Sequence, residues 1–202
     1  MKATISLDDF SAVNCRLELL FSLKDYFNNF KISMFTVPVD KRRDWGSSLI
    51  REDNLQIIKN NLDWIQIIPH GLFHNGSEMM DCDYFTFKQN IMPAIKEAFE
   101  KDGLFFVGGF KSPHWRWTEG VVRALDEEGW WGAIDRDKVM PCTKRYYKYN
   151  FLLNEPFYDS DKDLKLHGHV YGTKNDLGRC FNNLIKLPRD TDWHFVTDFL
   201  SE

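Results

Sequence analysis

The chain has 202 residues, 43% of them hydrophobic and 28% charged, and its 26 basic against 30 acidic side chains give a formal charge of −4. That is the length and balance of one globular domain spanning 1–202, not of a disordered segment, and the acidic sign leaves no electrostatic footprint for nucleic acid. No stretch reaches the roughly 20 apolar residues of a membrane helix, and MKATISLDDF has acids where a secretory signal needs its apolar run, so a cytoplasmic location is expected.

Strands and helices alternate along the chain. A strand over 3–7 ends in the acidic pair Asp8-Asp9, and Leu17, Leu20, Phe21, Leu23, Tyr26 and Phe27 then recur at helical spacing. A strand over 31–37 stops at Pro38, a helix is predicted over 47–61, and the strand 64–68 stops at Pro69. A helical stripe over 85–101 ends at Asp102-Gly103 and is followed by a predicted strand, 104–107. Residues 118–128 read as a helix capped by Thr118, and 131–134 as the next strand. The Tyr- and Lys-rich region 138–162 reads as irregular. A strand over 164–169, a helix over 176–185 and a last short strand or helix over 193–199 complete the chain. Such alternation predicts a parallel sheet flanked by helices, and its length predicts an incomplete α/β barrel. With no GxGxxG or GxxxxGK[ST] motif, nucleotide cradling is unsupported. Cys15, Cys82, Cys142 and Cys180 stand apart with no CxxC pair and read as reduced packing residues.

Functional groups of parallel α/β folds gather at the C-terminal ends of the strands. Here those ends carry Asp8-Asp9, His70-Gly71-Leu72-Phe73-His74, Lys111-Ser112-Pro113-His114-Trp115, Asp135-Arg136-Asp137 and His167-Gly168-His169. Five of the six histidines therefore lie on one rim, with only His194 elsewhere. Two histidines and a carboxylate can hold a catalytic divalent metal with positions left for water. A second carboxylate and a distant histidine then supply a base and an acid. Trp115 and Trp117 beside this rim could stack on sugar rings, whereas Trp130 and Trp131 read as core.

The order of SLDDF, HGLFH, FKSPHW and LKLHGH resembles the polysaccharide deacetylase family, the NodB-like domain of family 4 carbohydrate esterases, over residues 4 to about 170. The resemblance implies a distorted, incomplete (β/α) barrel that removes acetyl (N-acyl) groups from a carbohydrate or related small substrate. It implies Asp8 as catalytic base and one divalent ion, Zn²⁺ first, held by Asp9, His70 and His74. Lys111 takes the place of the arginine that supports the base, and Asp135 or Asp137 that of the acid pairing with this basic residue. His114 stands where a backbone N–H helps hold the oxyanion. His169 or His167 matches the general acid; His169 suits a strand end better and is preferred, leaving His167 with His114, Trp115 and Trp117 as substrate contacts. Phe10, Gly71, Lys111 and His114 depart from the family's usual residues, and Lys lacks the planar fork of Arg. The second reading is a catalytically impaired carbohydrate-binding relative of the same fold. The expected partner is an acetylated sugar or other small acylated molecule, with no nucleic acid and no membrane.

Overall fold

The computed structural model describes residues 1–11, 15–38, 52–75, 77–137, 143–157 and 162–201. Strand β1 (Lys2–Phe10) leads into helix α1 (Leu17–Tyr26), then β2 (Ile32–Thr36), α2 (Glu52–Lys59) and β3 (Ile65–Pro69). A long helical run follows: α3 (Tyr84–Thr86), a π-helical turn (Phe87–Ile91) and α4 (Met92–Lys101). Next come β4 (Gly109–Lys111), α5 (Glu119–Glu128), β5 (Trp131–Ile134), β6 (Tyr146–Lys148) and β7 (Phe151–Leu152). The chain closes with β8 (Leu164–His169), α6 (Leu177–Leu184), β9 (Asp192–His194) and a 3₁₀ turn (Val196–Phe199).

The strands form two parallel sheets, one in the order β3-β2-β1-β8-β7 with β9 also on β1, the other β4-β5-β6. Two seams join them. The Val107 N–H donates to Ile67 O at 3.0 Å on one side, and the chain passes from β6 to β7 on the other. Among the described residues the result is a distorted α/β barrel without one continuous ring of strand pairing, as expected. Because side chains alternate along a strand, Ala3, Ile5 and Leu7 join the main core with Leu20, Leu23 and Leu177 of the helices. The other face of the strands lines the barrel, where Phe35, Ile68, Trp131, Ala133, Tyr147 and Val196 form a second cluster. Trp130 and Trp131 are both buried, as the sequence predicts. No helix among the described residues is long and apolar enough to cross a membrane.

Several predicted elements stand where expected. Helix α5 starts at Thr118, whose Oγ1 accepts the Val121 N–H at 3.2 Å, and stops at Gly129 with φ 73°. Strands β5 and β8 match their predicted limits. Others are corrected. The apolar run 104–107 is not a strand; Phe105 is exposed, and β4 begins at Gly109, where a Cβ would collide with the Trp131 indole. Part of the region expected to be irregular is β6 and β7, because Tyr147 and Tyr149 point inward in the pleat. The helix predicted over 47–61 is seen as Glu52–Lys59, its first part lying outside the described residues. Cys15, Cys82 and Cys180 are free thiols, and Cys142 lies outside the described residues.

Candidate metal centre and active site

Neighbouring residues of a regular strand face opposite sides, so Asp8 and Asp9 could not both enter one site from an ideal β1. The backbone resolves this. The β1–β2 register shifts between Leu7 and Phe10, and Asp9 adopts φ 63°. That left-handed turn is one Asp tolerates better than most residues, and it swings Asp9 back toward the barrel mouth beside Asp8. Of the five non-glycine residues with positive φ among the described residues, four belong to this rim: Asp9, His74, His114 and Trp115. Sparsely populated backbone conformations concentrate where a site is over-determined by its surroundings.

The HGLFH loop supplies the next two groups. Gly71 has φ 70°, and a Cβ there would stand 2.5 Å from Pro113 Cγ, so only glycine fits between this loop and the β4 loop. The Glu78 carboxylate holds the loop by accepting the backbone N–H groups of Leu72 and Phe73. His70 Nδ1 lies 2.9 Å from Lys111 O, a carbonyl that can only accept, so this nitrogen carries the proton. Nε2 is thereby left with its lone pair toward Asp9, the outer-contact arrangement that aims ligating histidines. His70 Nε2 lies 3.5 Å and His74 Nε2 3.2 Å from Asp9 Oδ1. One ligand atom from each of the three residues lies within 4.8 Å of the others. Asp9 Oδ1 and His70 Nε2 are buried without a hydrogen-bond partner among the described residues, an arrangement that a shared cation satisfies. Burial pushes His74 down to about 4, leaving it a neutral ligand at ordinary pH. The donor set therefore fits a divalent ion of the borderline type.

Asp8 sits deeper, 1% exposed. Its Oδ2 forms a buried ion pair with Lys111 Nζ and faces His167 Nε2 at 3.5 Å and His169 Nε2 at 3.7 Å. Its Oδ1 has no hydrogen-bond partner among the described residues. Burial pushes this carboxyl up, but Lys111, His167 and His70 together hold it well below the usual carboxylate range. The Trp115 ring covers the Lys111 ammonium at 3.9 Å, shielding the pair from water. His169 is a quarter exposed, and its Nδ1 faces Asn175 Oδ1 at 3.1 Å, which leaves Nε2 toward the mouth.

Asp8, Asp9, His70, His74, Lys111 and His169 thus converge, and His114 lies beside them, exposed, with its ring 5.0 Å from that of His74. Three expected positions differ. His167, expected as a substrate contact, is 2% exposed beneath Asp8 and has no surface to offer. Trp117 packs on Phe110 at 5.9 Å against the main core, not on the rim. Asp135 accepts the Tyr149 hydroxyl at 3.1 Å and Asp137 pairs with Arg136, while Lys111 pairs with Asp8. Ser6, Glu78, Tyr149 and Asn175 were not singled out by the sequence. Glu78 serves backbone amides and Ser6 reads as an ordinary strand residue, so neither leaves a spacing signal.

No protein-family model matches the sequence, and no curated protein matches it significantly. Among solved structures, 28 chains match. A family 4 carbohydrate esterase from Streptomyces lividans, in complex with acetate, superposes with a TM-score of 0.62 at 11% identity, covering 92% of this chain and 86% of that one. A family 4 acetyl xylan esterase from Clostridium thermocellum, in complex with a cobalt ion, gives 0.62 at 13% identity over 98% and 89%. A family 4 pseudoenzyme from Bacillus anthracis gives 0.60 at 13% identity over 98% and 64%.

Proposed function

We propose that this chain, which has the fold of the family 4 carbohydrate esterases, is a single-domain, metal-dependent deacetylase that removes acetyl (N-acyl) groups from a carbohydrate or related small substrate. One observation carries the reading: two adjacent carboxylates are divided between two tasks. Asp9 lies with His70 and His74, and Asp8 with Lys111. A structural acid pair in a turn needs neither partner set.

A divalent ion, Zn²⁺ in the first instance, held by Asp9, His70 and His74 would supply Lewis-acid polarisation of the acetyl carbonyl and of the attacking water. The rest falls to the chain's own side chains. Lys111 keeps Asp8 ionised and fixes Oδ2, so the carboxylate is held ready to take the proton of the attacking water. His169, oriented through Nδ1 by Asn175, gives its Nε2 proton to the departing nitrogen, because an amine leaves poorly unless protonated. A preference for N-acyl over O-acyl groups follows from having this acid in place. Trp115, half-buried above Lys111, offers an aromatic flank for a sugar ring.

The test is acetate release from a panel of N-acetylated oligosaccharides, acetylated xylan and p-nitrophenyl acetate, by chelated protein with and without added Zn²⁺ or Co²⁺. Metal-dependent release from at least one saccharide is expected. Binding of a saccharide without release from any panel member would favour the impaired carbohydrate-binding reading instead.

A further inference from the structure

Below Asp8 lies a second buried histidine that the chemistry above does not use. His167 is enclosed between Trp115, edge-on at 5.4 Å, and Tyr149, tilted by 32° at 4.7 Å. Its Nδ1 is 3.1 Å from Ser6 Oγ, and its Nε2 faces Asp8 Oδ2 at 3.5 Å. Ser6 and His167 are register partners in the β1–β8 ladder, and Ser6 is fully buried, so the pair is set by the sheet itself. Gly168 between the two histidines is required, because a Cβ there would press on Asn175 O and Leu153.

Only one protonation state satisfies this surrounding. With the proton on Nδ1, the Nε2 lone pair would point at a buried carboxylate, and like partial charges at that distance repel. A doubly protonated ring is opposed by burial in the aromatic box and by the nearby Lys111 ammonium. With the proton on Nε2, the ring presents a donor to Asp8 and a lone pair to Ser6. The Ser6 hydroxyl has two acceptors within reach, Leu166 O at 3.2 Å and this lone pair, and can turn to donate to His167.

We infer that His167 is a positioning residue for the base: the Asp8 carboxylate selects its Nε2–H tautomer, the Ser6 hydroxyl steadies the ring at Nδ1, and this N–H together with Lys111 holds Asp8 Oδ2 in place for the attack of water. The 3.5 Å contact is long for a hydrogen bond, as contacts around catalytic groups often are before substrate binds. The inference rests on the deacetylase reading for its kinetic consequence, but not for its geometry.

Two measurements test it. In chelated, ¹⁵N-labelled protein, long-range ¹H–¹⁵N correlation spectra report each histidine tautomer, with the His167 signals assigned by their loss in His167→Gln. The Nε2–H form is expected, and is retained in Ser6→Ala because Asp8 still requires a donor; an Nδ1–H ring in the wild type would overturn the proposal whether or not the protein is a deacetylase. In the kinetic arm, His167→Leu should lower kcat by about 10- to 100-fold, the size typical of an orienting contact, with KM and bound metal unchanged. His167→Gln, whose amide N–H can still reach Asp8, should recover most of that loss. A Leu variant within twofold of wild type, a change confined to KM, or equal defects in Gln and Leu would each refute the role. Should His167→Leu not fold, Ser6→Ala carries the same kinetic test in weaker form. A wild-type protein that releases no acetate counts against the proposed function and leaves the spectra to decide this point.

Discussion

Replacing Lys111 by Met keeps the side-chain volume close to that of Lys and removes the counter-charge of Asp8. Both side chains of the pair are only 2% exposed, so water cannot take over the role of the lost ammonium. Breaking a buried pair from one side costs about 3–5 kcal/mol. The cost has a ceiling, because Asp8 can escape by binding a proton: for a carboxyl of ordinary pKa, neutralisation at pH 7 costs about 4 kcal/mol. The nearby imidazoles of His167 and His70 offset part of it, so about 3 kcal/mol is expected. At about 2.1 cal/mol/K of unfolding entropy per residue, a chain of 202 residues should lose roughly 7 °C in Tm. The sign with pH is specific. Without Lys111 the folded-state pKa of Asp8 is raised above its unfolded value, so the variant gains stability relative to wild type on acidification, and its deficit is larger at pH 7 than at pH 5. Urea and thermal unfolding of chelated protein at both pH values measure this, and Asp8→Asn in the Lys111→Met background should recover most of the loss. A deficit under 1 kcal/mol at pH 7, or one equal at both pH values, would refute the argument that a buried charge pair anchors the base.

His70→Ala and His74→Ala should each abolish stoichiometric metal binding, read by metal analysis after gel filtration; full retention in both would remove HGLFH as the ligand source. Asp8→Asn should stop turnover and keep the metal, whereas Asp9→Asn should lose both, and the opposite pattern would exchange their roles. His169→Ala should cost about 10²-fold or more in kcat on an acetamide but far less on an aryl acetate, whose leaving group needs no proton; an equal loss on both would rule it out as the acid. Burial holds His74 and His167 below the ordinary histidine range, His74 at about 4, so the unfolded chain takes up protons near pH 6.5 that the folded chain refuses. The Tm of chelated protein should therefore fall as pH drops from about 6.5 toward 4, and a flat profile over that interval would contradict these environments.

The sequence made legible what is periodic or capped, and much of what clusters at strand ends. Leu164–His169 and Trp131–Ile134 alternate or run apolar between clear stops, and Thr118 and Gly129 bracket α5. The run 104–107 misleads because its apolar side chains mimic a strand, while the sheet pairing belongs to the Gly109 segment, whose glycines admit Trp130 and Trp131. The Tyr-Lys region hides β6 because the inward tyrosines are interleaved with lysines. At the site, residue types and their order pointed to the rim, but not to how consecutive acids could share it: that depends on the bulge and the φ of Asp9, which no residue pattern encodes. The order of depth of His167 and His169 was legible, since His169 lies nearer the strand end, but not the box of Trp115 and Tyr149 that closes over His167 and removes it from substrate.

A metal centre built by Asp9, His70 and His74 that serves deacetylation by Asp8 is put to the test by titrating Zn²⁺ into chelated wild-type and His74→Ala protein while recording acetate release from an N-acetylated oligosaccharide. The wild-type rate should rise and saturate at about one equivalent of metal, with no comparable rise in the variant. Acetate release that is independent of added metal, or equal in the two proteins, would contradict this assignment.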